Sequence, residues 1–213
     1  MTAPHRAIFL DRDGTLVHPR HYPSRPEHLR LYEGIGPELR RQQAAGFRLV
    51  VVTNQSGIAR GYFTEDDLRR MHEHLAASLD RSGVRLDAIY YCPHHPDGVI
   101  PELARRCDCR KPAPGMLWRA AHDLGVDPAR SWLVGDVLDD VEAGRRAGCR
   151  TVLVDLATES PPVTARRRPD FVARDTRHAL RIISAVEGLA AAPELDYRPL
   201  GWPAAGLAAE RGR

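Results

Sequence analysis

Long apolar runs are absent from this chain: none approaches the ~20 residues that a membrane-spanning helix needs, so no span is expected. Met1 to Arg6 lack the apolar segment of a secretory leader, which makes a soluble cytoplasmic protein, without membrane attachment, the expectation. An excess of one charge sign is also missing. With 31 Lys and Arg against 28 Asp and Glu the net charge is +3. No extended basic stripe marks a nucleic-acid surface. The one basic run, Arg166 to Arg168, sits near Pro161 and Pro162 and reads as a solvated loop. Cysteine is scarce, at four residues. Three of the four, Cys92, Cys107 and Cys109, cluster. Without an export signal, such a cluster points to metal rather than disulfides. Cys149, between a glycine and an apolar run, reads as a small core residue. Internal repeats are absent, and hydrophobic periodicity fades after Ala190. The expectation is one domain over residues 1–190 and an irregular tail over 191–213.

What is present is an alternation of short apolar runs and amphipathic stretches. Strands are expected at Ala7–Leu10, Arg48–Thr53, Ala88–Tyr91, Trp132–Val134, Thr151–Val154 and Phe171–Ala173. Helices are expected at Pro37–Ala45, from Thr64 to Gly83, and at Met116–Leu124, Val141–Ala147 and Thr176–Leu189. Thr64 is placed to cap the second helix, with Glu65, Asp66 and Asp67 in its first turn. Strand–helix alternation predicts an α/β fold: a Rossmann-like parallel sheet with helices on both faces. Such sheets bind ligands beyond the carboxyl ends of their strands, and the polar residues of interest follow strands directly.

The first strand runs into Asp11-Arg12-Asp13-Gly14-Thr15. Two carboxylates this close repel unless a cation or partner neutralises them. The fourth strand likewise runs into Gly135-Asp136 and then Asp139-Asp140. Three carboxylates at strand ends of one sheet can converge on a hard cation such as Mg²⁺. Asp136 is assigned to that cation, Asp140 is a supporting carboxylate, and one of Asp139 and Asp140 is expected to cap the following helix. Thr53-Asn54-Gln55-Ser56-Gly57, after the second strand, offers hydroxyl, amide and backbone N–H groups to phosphate oxygens. Arg110-Lys111-Pro112 adds two cations. Cys92-Pro93-His94 and Cys107-Asp108-Cys109 supply four ligands suited to a closed tetrahedral Zn²⁺ site. His95 is a rival to His94. Exposed positions account for the other histidines, His72 among them.

These elements, in this order, resemble the haloacid dehalogenase superfamily of phosphohydrolases over about Ala7 to Val154. The closer resemblance is to its heptose bisphosphate phosphatase branch. It is carried by Thr53–Gly61, by Tyr91-Cys92-Pro93-His94-His95-Pro96 and by Cys107–Pro112. The resemblance implies hydrolysis of the C7 phosphate of D-glycero-D-manno-heptose 1,7-bisphosphate through a phospho-aspartate. Asp11 would be the nucleophile and Asp13 the general acid and base. Thr53 and Lys111 would grip phosphate oxygens. Mg²⁺ would be held by Asp11, Asp136 and the Asp13 carbonyl. Structural Zn²⁺ would be held by Cys92, His94, Cys107 and Cys109, in a loop over about 92–109. A minimal cap is implied, so loops would recognise the phosphorylated sugar: Asn54, Gln55, Ser56, Arg110 and Tyr22. The branch pattern has Asp and Gly just before Tyr22, where this chain has Arg20-His21. Ser56 through Gly61 favours the sugar over histidinol phosphate, the nearest alternative substrate. Asp11, Asp13, Lys111 and Asp136 together argue against a non-catalytic sugar-phosphate binder. A monomer is expected.

Overall fold

The computed structural model describes residues 4–189; the tail expected over 191–213 lies outside them. Six strands form one parallel sheet: β1 (Arg6–Leu10), β2 (Phe47–Asn54), β3 (Ala88–Cys92), β4 (Trp132–Gly135), β5 (Arg150–Val154) and β6 (Phe171–Ala173). Their order is β3-β2-β1-β4-β5-β6. The chain therefore builds outward from β1 to one edge, returns to β4 beside β1, and builds outward the other way. That reversal opens a crevice between the carboxyl ends of β1 and β4.

Among the described residues five α-helices cover the sheet: α1 (Ile35–Ala44), α2 (Glu65–Asp80), α3 (Gly115–Leu124), α4 (Leu138–Ala147) and α5 (Thr176–Val186). Strand side chains alternate between faces. Ile8 and Leu10 join Leu49 and Val51 in a core with residues of α1, α2 and α5, including Leu39, Leu75 and Ile183. Ala7 and Phe9 join Val50 and Val52 on the opposite face, against Met116, Leu117 and Ala120 of α3 and Ala143 of α4. Because both faces are covered, β1 and β2 read as near-continuous apolar runs.

Thr64 caps α2 as expected. Its Oγ1 accepts from the Asp67 N–H at 3.1 Å, and Asp67 Oδ2 accepts from the Thr64 N–H at 2.8 Å. Helix α4 begins three residues earlier than its apolar pattern suggests, at Leu138. The reason is a cap: Asp140 Oδ2 accepts from the Val137 N–H at 3.3 Å and closes the first turn. Of the two acidic candidates, Asp140 caps; Asp139 instead pairs with Arg167. The basic run is thus not wholly solvated. Arg167 also meets Glu142 at 2.9 Å, while Arg166 and Arg168 are exposed. Cys149 is buried, and burial pushes its thiol up to about 12.

Between Asp13 and α1 the chain adds isolated bridges from Val17 to Asp13 and to Leu31 and a short 3₁₀ turn at Pro26–His28. No helix among the described residues is long and apolar enough to cross a membrane.

Candidate active site

Asp11 follows β1 and Asp136 follows β4, so the two face each other across the crevice. Ligand oxygens of Asp11, Asp136 and Asp140 all lie within 4.8 Å of one another. Gly14 is required here twice over. Its φ of +83° disfavours a side chain, and a Cβ there would collide with the Asp136 carboxylate. Thr15 Oγ1 donates to Asp136 Oδ1 at 3.4 Å.

Lys111 reaches this cluster from the loop before α3 and is 2% exposed. Its Nζ donates to Asp11 Oδ1 at 2.7 Å and to the Val52 carbonyl at 2.8 Å, and pairs with Asp140 Oδ1 at 2.5 Å. Burial alone would lower its pKa, but Asp11 and Asp140 outweigh that and hold it above the ordinary range. Lys111 is the only lysine in the chain. A compact ammonium can direct three N–H groups at three converging oxygens; a planar guanidinium cannot.

The carboxylates are pushed the other way. Burial, with Asp140 and Asp13 adding to it and Lys111 opposing, raises Asp11 to about 6. Burial, with Asp11 and Asp140 adding to it, raises Asp136 to about 8. With all three ionised, three negative charges would share one positive partner in a nearly dry site.

Asp13 points away from this cluster. Its Oδ2 accepts from Arg12 Nε at 3.0 Å, Arg12 Nη2 at 2.7 Å and Gln55 Nε2 at 3.0 Å. Its Oδ1 is buried and has no hydrogen-bond partner among the described residues. Arg12 is fully buried.

The loop after β2 divides by role. Thr53 is buried, and its Oγ1 accepts from Gln55 Nε2 at 2.8 Å. Gln55, expected at the substrate, is buried, with its amide engaged by Thr53, Asp13 and Arg12. Asn54 also turns inward: its Nδ2 donates to the Lys111 carbonyl and its Oδ1 accepts from the Lys111 N–H, both at 3.1 Å. Ser56 is half-buried. Arg110 is half-buried and donates to the His94 carbonyl at 3.4 Å. Tyr22 lies in the short excursion after Asp13 with φ +46°, unusual for a bulky residue. Its ring stands edge-on to Tyr62, with centroids 4.6 Å apart.

Cys92 ends β3, and Cys107 and Cys109 come back to meet it. The sulfur separations are 3.5 Å for Cys92–Cys107 and 3.3 Å for both Cys109 pairs. His94 Nδ1 stands 3.3 Å from the Cys109 sulfur and 3.6 Å from that of Cys92. His95 turns instead to Arg60, at 3.1 Å. Of the rival histidines, His94 joins the sulfurs.

Clefts of about 640 and 500 Å³ flank the edge strand β3, lined by Ile89 and Tyr91, rather than opening over Asp11.

Residues 108–179 match a family model described as HAD-hydrolase-like. The chain is 49% identical to the D-glycero-beta-D-manno-heptose-1,7-bisphosphate 7-phosphatase of Pasteurella multocida, over 85% of this chain and 98% of that one. It is 44% identical to the Haemophilus ducreyi protein of the same name, over 78% of this chain and 92% of that one. The chain belongs to the haloacid dehalogenase-like phosphatases. Among solved structures of these phosphatases, a HAD-like phosphatase from Mesorhizobium loti superposes with a TM-score of 0.76 at 38% identity, covering 90% of both chains. The D,D-heptose 1,7-bisphosphate phosphatase of B. bronchiseptica, complexed with magnesium and phosphate, superposes with a TM-score of 0.72 at 32% identity. That match covers 85% of this chain and 99% of that one.

Haloacid dehalogenase-like phosphatases use a metal ion, and the carboxylate cluster fits one. Asp11, Asp136 and Asp140 against Lys111 leave a deficit of two positive charges, and the raised carboxylates are its signature. The Cys–His cluster fits a second ion. Thiolates about 2.3 Å from a tetrahedral zinc would stand ~3.8 Å apart, so a small expansion of the observed sulfur triangle suffices.

Two participants gave no signal in the sequence. Arg12 is the residue between the two aspartates, and only its burial reveals its contact with Asp13. His72, expected to be exposed on α2, is half-buried and 3.3 Å from Arg12 Nη1.

Proposed function

We propose that this chain removes the C7 phosphate of D-glycero-D-manno-heptose 1,7-bisphosphate, as the relatives it matches are named for doing. The observation carrying the chemistry is the buried Asp11–Lys111 pair facing Asp136, with Asp13 held apart on its own partners. Asp11, Asp136 and the Asp13 backbone carbonyl would hold Mg²⁺, which would screen the phosphate's charge and so allow an anion to approach phosphorus.

In the first half-reaction an Asp11 carboxylate oxygen attacks phosphorus in line and the bond from phosphorus to the sugar oxygen breaks. Asp13 gives its proton to that oxygen, and a phospho-aspartate remains. In the second, Asp13 takes a proton from water, whose oxygen attacks the same phosphorus. The Asp11 carboxylate and inorganic phosphate are released. Asp13 Oδ1 is the oxygen for these transfers, because Oδ2 already accepts from three N–H groups. Lys111 and the Thr53 hydroxyl bind phosphate oxygens, and Lys111 holds Asp11 in place. The sugar is read by Ser56, Arg110 and Tyr22. Asn54 and Gln55 serve the same recognition from behind, by fixing the Lys111 loop and Asp13.

Zn²⁺ at Cys92, His94, Cys107 and Cys109 is structural: four protein ligands leave no open position. It pins the loop that delivers Arg110 and Lys111. We read residues 1–190 as one catalytic domain, monomeric and cytoplasmic, with a small phosphorylated sugar as its partner.

The test is phosphate release with Mg²⁺ from both anomers of heptose 1,7-bisphosphate and from histidinol phosphate, with Asp11→Asn as blank. A preference of about 100-fold in kcat/KM for the bisphosphate is expected, ~2.7 kcal/mol of transition-state discrimination. Preference for histidinol phosphate would overturn the substrate, and no release from any would overturn the reaction.

A further inference from the structure

Behind Asp13 lies a side-chain relay that the reaction above does not use. Arg12 directs Nε and Nη2 at Asp13 Oδ2, and Nη2 also donates to Gln55 Oε1 at 2.9 Å. Its third face, Nη1, meets Nε2 of His72 on α2 at 3.3 Å. An arginine side chain only donates. His72 Nε2 is therefore the acceptor, and the neutral ring carries its proton on Nδ1. The His72 ring also stands edge-on to Tyr91, with centroids 5.9 Å apart. Its solvent side forms part of the groove of about 500 Å³ beside β3.

We propose that His72 is a positioning residue for the acid–base carboxylate. Its Nε2 holds the Arg12 guanidinium in one plane, and that plane holds Asp13 by Oδ2, leaving Oδ1 as the oxygen without a partner. The proposal rests on the role given to Asp13 above. Without the acceptor on α2, the guanidinium keeps Asp13 and Gln55 but loses its anchor at Nη1 and can tilt with the Asp13 carboxylate. A misplacement of about 1 Å at a reacting group can cost on the order of 10²-fold in rate. His72 contacts the Arg12 guanidinium and not Asp13 itself, so its loss reaches the Asp13 carboxylate through Arg12.

Leaving-group dependence is the readout that a merely structural role would not move. A sugar alkoxide needs a proton as it departs; the phenolate of p-nitrophenyl phosphate does not. We would measure single-turnover release of the leaving group from heptose 1,7-bisphosphate and from p-nitrophenyl phosphate. His72→Leu should slow the sugar reaction about tenfold or more and leave the aryl reaction within about twofold. His72→Gln, whose Oε1 can accept from Arg12, should recover most of the loss. Should the leucine variant lose its urea transition, His72→Ala with added imidazole, which can enter through the groove, is read the same way. Equal loss on both substrates, or no loss with His72→Leu, overturns the proposal. Asp13→Asn runs alongside: if it too fails to separate the two substrates, the role of Asp13 has failed rather than that of His72.

Discussion

Asn54 grips the backbone of Lys111 on both sides, donating to its carbonyl and accepting from its N–H at 3.1 Å each. They are the only asparagine and the only lysine in the chain. The grip joins the end of β2 to the loop before α3, so the ammonium reaches Asp11 and Asp140 from a fixed base. Asn54→Ala leaves a half-buried N–H and carbonyl unpaired, at a cost of about 1–3 kcal/mol. It should lower kcat about tenfold or more through misplacement of Lys111. Urea melts and steady-state kinetics on one preparation check both effects.

Lys111→Arg keeps the charge and loses the geometry. Three acceptors converge on Nζ in a nearly dry site, and a guanidinium would have to displace Asp140 or the Val52 carbonyl. The expected outcome is a loss of phosphate release of about 10²-fold or more. Lys111→Met, which leaves Asp11 and Asp140 uncompensated, should behave no better and should lower the melting temperature at neutral pH. Activity assays and thermal melts of both variants decide it.

Acid should destabilise the fold through His72. Burial, then the Arg12 charge, lowers its pKa from an ordinary 6.5 to about 3. Between these values the unfolded chain binds a proton that the folded chain does not. The stability contributed by the neutral ring is therefore full above pH 6.5 and is lost as pH falls toward 3, by at most about 1.4 kcal/mol per pH unit. Asp11 and Asp136, raised in the fold, act with the opposite sign. Only the difference between wild type and variant isolates the histidine. Urea midpoints from pH 7.5 to 5 should fall less steeply for His72→Gln than for wild type.

Zinc should compete with Arg105. The Arg105 guanidinium lies 2.9 Å from His94 Nε2. Coordination through His94 Nδ1 leaves a proton on Nε2, and two donors cannot share that contact. Binding must turn Arg105 aside. Arg105→Ala should hold zinc several-fold more tightly in competition with a chromogenic chelator. Cys107→Ser should lose the ion and, with it, the order of the loop that carries Lys111.

The strand sequence and both acidic turns were legible because a parallel sheet buried on two faces forces apolar runs that end abruptly at polar residues. The metal-loop pairs were legible because thiol and imidazole spacing is chemistry on its own. Asp140 could be named as a supporting carboxylate, but its double task of capping α4 and holding Lys111 could not, since each oxygen has a different partner. Gln55 and Asn54 read as substrate contacts because amides after a strand suit phosphate; tertiary packing turned both inward. Arg12 and His72 were invisible for a related reason. Sixty residues separate them, and nothing local distinguishes a buried guanidinium from a surface one before α2 is laid across the sheet.

The solitary lysine has a practical side. Thirty of the 31 basic residues are arginine, and the lone primary amine on a side chain sits 2% exposed among three acceptors. Amine-directed reagents, including cross-linkers, acylating tags and resin-coupling esters, would find no exposed lysine on the folded molecule. Acylation of Lys111 would then report that the centre of the fold has opened, making a commonplace labelling reaction a one-site reporter of unfolding.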